Sequence, residues 1–144
     1  MSKKNRGMKF EDIQVGQTAE LYKTFTDAEV KAYAEISGDF NPIHLDQEYA
    51  STTRFKKRIV HGMLAGSLFS NLLGTHLPGQ GTIYLKQEMV FKAPVYLGQE
   101  VRAQVKVIEK REDKKIIKLE TRAFTDDQQL VIDGFALVML MEGP

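Results

Sequence analysis

Residues 62–77 read GMLAGSLFSNLLGTHL, a stretch without a charged side chain. A helix that is apolar nearly all round belongs inside a protein, where other elements cover most of its sides. Gly62, Gly66, Ser70 and Gly74 recur every fourth position and so lie along one side of that helix. A side made of small residues lets a sheet, another backbone or a ligand come close. Pro78-Gly79 ends the stretch.

The sequence that follows supplies the covering layer, because it alternates with period two. In 83–91, Ile83, Leu85, Met89 and Phe91 share one face, with Gln87 as the exception. In 101–107, Val101, Ala103, Val105 and Val107 oppose Arg102, Gln104 and Lys106. In 117–123, Ile117, Leu119 and Ala123 oppose Lys118, Glu120 and Arg122. Each is the pattern of a half-buried antiparallel strand. KREDK (110–114) and TDDQQ (125–129) are the turns between them. Leu130–Met141 is apolar on both faces except at Asp133, which suits a central strand or one facing a second subunit. A further strand is predicted near Thr18–Phe25. The expected fold is α+β: an antiparallel sheet of about five strands wrapped around one apolar helix. A second copy would extend the sheet and cover its open edge.

Upstream, TDAE at 26–29 predicts a capping box, with a helix running to Ile36 and stopped by Ser37-Gly38. Asp39 then opens a loop that continues through Asn41-Pro42, and a short helix is expected over 46–53.

The 144 residues amount to a single domain spanning 1–144, with 1–9 expected as an N-terminal tail. There are 20 basic and 19 acidic residues, a balance that gives no support for a nucleic-acid partner. The basic group Lys3, Lys4 and Arg6 reads as a solvated terminus. The absence of cysteine excludes disulfides, thiolate chemistry and cysteine-ligated zinc. With no signal-like or membrane-spanning run, a cytoplasmic location and no membrane partner are expected.

Asp39 and His44 are the candidates for acid–base chemistry, since histidine changes charge near neutrality and a nearby carboxylate tunes it. The same Asp-x-Asn-Pro run also makes a good turn, and spacing leaves both readings open. Gly62 opens the apolar helix, where unpartnered amides can act as oxyanion donors, or it serves only close packing. Ser70 can bond a carbonyl one turn back or face a site, and Leu73 can limit an apolar pocket or fill core. His61 and His76 do not supply the convergent ligands of a zinc site, so no metal is expected.

DFNPIH at 39–44, followed by IVHGML at 59–64, resembles the MaoC-like hydratases and dehydratases of the hot-dog superfamily. The match is closest to the stand-alone (R)-specific enoyl-CoA hydratases that feed polyhydroxyalkanoate synthesis. It extends from VGQ at 15–17, through SLFSNLLG, LPGQGTIYL and FKAPVYLG, to the last strand. The resemblance implies a five-stranded sheet around a central helix, a homodimer, and reversible syn addition of water to a trans-2-enoyl-CoA, giving the (R)-3-hydroxyacyl-CoA. It implies no cofactor beyond the coenzyme A of the acyl-CoA substrate. Residue by residue, it places the catalytic pair at Asp39 and His44 and the carbonyl-binding amide at Gly62. Ser70 and Asn41 fall at supporting positions, and Leu73 and Val138 at the acyl pocket. A dehydratase acting on acyl carrier protein would use the same residues but needs a basic docking patch. A thioesterase or a non-catalytic acyl-CoA-binding module fits the DxNPxH loop less well.

Overall fold

The computed structural model describes residues 7–141. Lys3, Lys4 and Arg6 lie outside the described residues. Met8, expected to lie in a tail reaching residue 9, is held in place: its amide donates to the Pro78 carbonyl at 2.9 Å, and Met8 packs on the core.

Five antiparallel strands form one sheet: β1 (Thr18–Thr24), β2 (Thr82–Phe91), β3 (Glu100–Arg111), β4 (Ile116–Thr125) and β5 (Leu130–Leu140), ordered β1-β3-β4-β5-β2. The alternation of β3 and β4 is realised. Val101, Ala103, Val105, Val107, Ile117, Leu119 and Ala123 all have no exposed surface. β5 is a central strand, paired on both sides with β4 and β2. Its one acid, Asp133, accepts from Arg122 Nε on β4 at 3.1 Å.

β2 departs from the predicted facing. The register shifts between Tyr84 and Lys86, so Leu85 has no partner on β5. One inserted residue reverses the facing of everything beyond it. Tyr84 pairs with Val138, Gln87 with Ala136, Met89 with Gly134 and Phe91 with Ile132. The inner face therefore runs Tyr84, Gln87, Met89, Phe91. Ile83, opposite Met139, turns to the outer face, and Gln87 is no exception.

Helix α1 (Asp27–Ser37) carries the predicted capping box between Thr26 and Glu29 and ends at Gly38 in the left-handed region, φ 78°. The loop expected from Asp39 contains an additional short helix, α2 (Pro42–Leu45), and the helix expected over 46–53 is found as α3 (Gln47–Ser51). Asn41 Oδ1 accepts from the Ile43 amide at 3.2 Å, and Pro42 occupies the first turn, where its missing N–H costs no bond. Asp46 caps α3 in the same way.

The apolar helix is α4 (Gly62–Asn71), which widens into a π-helical turn over Leu72–His76. Ala65, Gly66, Leu68, Phe69, Leu72 and Leu73 are buried against the sheet. The covering is incomplete, however. Met63 is 58% exposed, and Ser67 and Ser70 are exposed, so one side of α4 remains open.

Candidate active site

The segment between α1 and α2 is built by local hydrogen bonds. The Asp39 amide donates to Ser37 Oγ at 3.1 Å, and Asp39 Oδ1 accepts from the Asn41 amide at 3.1 Å. The turn reading and the acid–base reading of Asp39 are thus compatible. One carboxylate oxygen is engaged in the turn, while the residue stays exposed.

His44 sits on α2 with 8% of its surface exposed. Its Nδ1 lies 2.8 Å from the Ile59 carbonyl oxygen. A carbonyl only accepts, so Nδ1 carries the proton, and the neutral ring has a bare Nε2 able to take a hydrogen bond or a proton. Burial lowers the His44 pKa most. The Ile59 bond and the Asp39 carboxylate oppose that shift, and His61 adds to it. The neutral ring is favoured by the net effect. Arg58 holds α2 in place: its Nε donates to the His44 carbonyl at 2.7 Å, and its Nη1 meets Asp27 Oδ1 of α1 at 2.7 Å.

His61 joins this pair, although the sequence offered it only as an unlikely metal ligand. It precedes α4 as the N-cap residue and is 2% exposed. Its ring stacks on His44 with centroids 3.9 Å apart and planes 26° apart, and the ring of Tyr33 meets it edge-on at 4.8 Å. His61 Nε2 lies 3.1 Å from the Asp39 carbonyl oxygen and donates to it. One side-chain atom each of Asp39, His44 and His61 falls within 4.8 Å of the others. Such a trio can bind metal, but a metal lies along the in-plane lone pair of each imidazole. Two rings stacked nearly parallel do not aim those lone pairs at one point, and each ring already spends a nitrogen on a carbonyl. The arrangement suits proton handling. His76 is exposed at the end of the π-helical turn and takes no part in the trio.

Gly62 is the first residue of α4, so its amide has no acceptor within the helix and sits at the positive end of the dipole. Its lack of a side chain also lets the Phe91 ring lie close against the helix. A Cβ at Gly62 would stand 2.9 Å from the Phe91 ring, and one at Gly66 would stand 2.5 Å from Met89 Sδ.

Between this side of α4 and the inner face of β2 lies a cavity of about 510 Å³, lined by Met63, Gly66, Ser67, Ser70, Tyr84, Gln87, Met89 and Phe91. Ser70 faces it, as the small-residue stripe suggested, while the back-bond to a helix carbonyl is made by Ser67, to Leu64. The sequence missed Tyr84 and Gln87, whose inward facing depends on the bulge. The Tyr84 hydroxyl donates to Gln87 Oε1, and Gln87 Nε2 donates to Thr121 Oγ1 at 2.9 Å. Burial pushes the Tyr84 phenol up to about 12, which keeps it a donor. Leu73 and Val138 are fully buried and do not line this cavity. They adjoin it: Val138 is the cross-strand partner of Tyr84, and Leu73 follows Ser70 by three residues on the helical segment.

A five-stranded antiparallel sheet packed on a central helix, with an acid and two histidines at that helix's N-terminal end, is a hot-dog fold carrying a polar site. Residues 10–129 match the MaoC like domain, and the chain belongs to that family. The (R)-specific enoyl-CoA hydratase of Aeromonas caviae is 53% identical over 133 residues, covering 92% of this chain and 99% of that protein. The solved structure of the (R)-hydratase from A. caviae involved in PHA biosynthesis matches with a TM-score of 0.89, covering 91% and 99% of the two chains. The (R)-specific enoyl-CoA hydratase of Rhodospirillum rubrum is 45% identical, covering 91% of this chain and 90% of that one. The unliganded R-hydratase PhaJ1 from Pseudomonas aeruginosa is 42% identical with a TM-score of 0.90, covering 95% and 88%.

Proposed function

We propose that this chain adds water to trans-2-enoyl-CoA, giving (R)-3-hydroxyacyl-CoA, and runs the reverse dehydration as well. The observation that carries the reading is the meeting of the Asp39 carboxylate and a neutral His44 beside the first amide of α4. The end-to-end similarity to (R)-specific enoyl-CoA hydratases supports the same chemistry.

The reaction needs a water held by two acceptors. A water donating at about 2.8 Å to each of two acceptors spans roughly 4.6 Å between them at the tetrahedral angle. Asp39 and His44 each offer an atom within 4.8 Å of the other, close enough for one water to bridge two such acceptors. Asp39 takes a proton as the water oxygen bonds to the β-carbon, and bare His44 Nε2 orients the water. The C=C electron pair moves onto the thioester oxygen, where the Gly62 amide stabilises the enolate-like charge. One such donor is worth about 3–4 kcal/mol of barrier. The proton then passes to the α-carbon, so atoms balance and no cofactor takes part. Delivery of water and proton from one side gives syn addition. Asn41 supports the site by capping α2, and Ser70 by lining the cavity that receives the acyl chain. Leu73 and Val138, one layer beyond, back the residues that line it and set how far the acyl chain can extend.

The working unit is a homodimer. Leu85, Val90 and Phe91 on the edge strand β2 are 47%, 54% and 49% exposed, and Met63 beside them on α4 is 58% exposed. Pairing of β2 with β2 of a second copy would cover this apolar edge and the open side of α4. Sedimentation equilibrium should return twice the chain mass. A monomer would remove the dimer from the reading. A cytoplasmic role in supplying (R)-3-hydroxyacyl-CoA for polyhydroxyalkanoate synthesis fits the A. caviae relative and the cysteine-free sequence. No helix among the described residues is long and apolar enough to cross a membrane.

The deciding experiment follows the conjugated enoyl-thioester absorbance of crotonyl-CoA, with free thiol monitored in the same cuvette, for the native chain and Asp39→Asn. Loss of absorbance without thiol release, abolished in the variant, supports the hydratase. Thiol release would instead mean a thioesterase.

A further inference from the structure

We infer that His61 is a positioning residue, holding the Asp39 loop, the His44 ring and the start of α4 in one fixed relation. The inference rests on the hydratase reading above. Three contacts made by one buried side chain carry it. Nε2–H donates to the Asp39 carbonyl, which sets where the loop, and with it the carboxylate, stands relative to α4. The ring face supports His44, whose other attachment is the Nδ1 bond to Ile59. The backbone of His61 immediately precedes Gly62, so any movement of the residue moves the amide that is to meet the thioester oxygen. Acid, base and oxyanion donor come from three separate segments, and His61 is the residue that touches two and adjoins the third.

The cost at this position argues that the ring does more than fill space. Nδ1 of His61 is buried without a hydrogen-bond partner. A phenylalanine of similar shape would leave no buried acceptor unsatisfied, and burying one is unfavourable. What histidine adds over phenylalanine here is the single N–H toward Asp39. The ring also acts on His44 electrostatically. His61 is one of the influences lowering its pKa, after burial. The titratable groups facing His61 are Asp39 after α1, Tyr33 on α1 and His44 on α2. Arg58 is engaged by the His44 carbonyl and by Asp27 of α1.

The test uses His61→Phe, which keeps a ring without the donor, and His61→Gln, which keeps a donor without the ring. Crotonyl-CoA hydration, pH–rate profiles and thermal melts are measured on the folded fraction of each. A misplacement of reacting groups by about 1 Å can cost about 10²-fold in rate. The expected result is therefore a kcat loss of that order in His61→Phe with KM little changed, and a partial return of kcat in His61→Gln. The acid limb of kcat/KM should move to higher pH in His61→Phe, because one influence holding the His44 pKa down is gone. Wild-type kcat and an unmoved limb in His61→Phe would overturn the proposal. So would activity that falls only in proportion to folded protein, or failure of both variants to fold, since His61 would then serve stability alone. If the native chain shows no hydration, the hydratase reading fails separately. An NMR titration of His44 in His61→Phe, reading a raised pKa or none, then decides the coupling independently of activity.

Discussion

β3 and β2 are both long antiparallel strands that turn one face toward α4, yet one makes core and the other makes a cavity. The inner residues of β3, Val101, Ala103, Val105 and Val107, have no exposed surface. Those of β2, Tyr84, Gln87, Met89 and Phe91, line about 510 Å³ of space. The packed side of α4 and its π-helical turn presents Leu68, Phe69, Leu72 and Leu73, which fill against aliphatic strands. The side toward β2 presents Gly62, Gly66 and Ser70, which leave room. Bulk on one side of the helix supplies stability, and its absence on the other side supplies a site. Substitutions on the two sides should therefore separate activity from stability.

The largest separation is expected at Asp39. Asp39→Asn should lower crotonyl-CoA hydration by about 10³-fold, the scale of a lost general base. The melting temperature should hardly move, because the side chain is exposed and its turn bond to the Asn41 amide can be kept by an asparagine oxygen. A variant that melts much earlier than the native chain would show that the loop is part of the stability framework and break the division.

Leu73→Ala tests the opposite side. Removing a fully buried leucine should cost about 2–5 kcal/mol in denaturant unfolding. The same change opens the proposed pocket floor and should move the substrate profile toward longer enoyl chains. A stability loss with an unchanged profile would confine Leu73 to the core.

This division was partly legible in the sequence. β3 and β4 declare their facing because their alternation runs unbroken over 101–107 and 117–123, the β3 irregularity coming only after Val107. The small-residue stripe of α4 announced a close approach, and DxNPxH marked the loop. The inner face of β2 was not legible, because it depends on the unpaired Leu85. A bulge is a property of the pairing with β5, not of the strand's own residues. His61 was missed for a similar reason. Its contacts with Asp39 and His44 are made across chain separations that no local pattern records. Local signals did reveal the caps, Thr26 with Glu29 and then Gly38, since capping acts within one turn. The short helix α2 is hidden in the sequence because the residue before a proline avoids the helical region, a rule that restrains Asn41 while leaving Pro42 well suited to a first turn.

The pH dependence gives a smaller effect with a definite sign. Burial holds the folded His44 pKa below the ordinary value of 6.5. Above 6.5 the ring is neutral in both folded and unfolded chains, and the full stability is present. As pH falls below that value the unfolded chain takes the proton first, so stability is lost progressively down to the folded pKa. The neutral ring needed for catalysis survives over the same interval. The acid limb of kcat/KM should accordingly have its midpoint below 6.5. A midpoint above 6.5 would mean that the charged partner Asp39, not burial, governs the ring.

Gly66→Ala should have the smallest energetic effect and gives the sharpest reading of the comparison. Within a helix, alanine is favoured over glycine by about 1 kcal/mol. Against this, the new Cβ would stand 2.5 Å from Met89 Sδ, a flexible thioether on the inner face of β2 that can swing aside. The two effects oppose each other, so the melting temperature should change little. Met89 lines the cavity, so its displacement into that space would shorten the usable acyl site. Assayed across enoyl-CoA chain lengths, the variant should keep its rate on the four-carbon substrate and lose it progressively on longer ones. A uniform loss at every length would show that the glycine serves the placement of the Gly62 amide rather than the width of the pocket. One methyl group on the open side of α4 would then act on the chemistry itself.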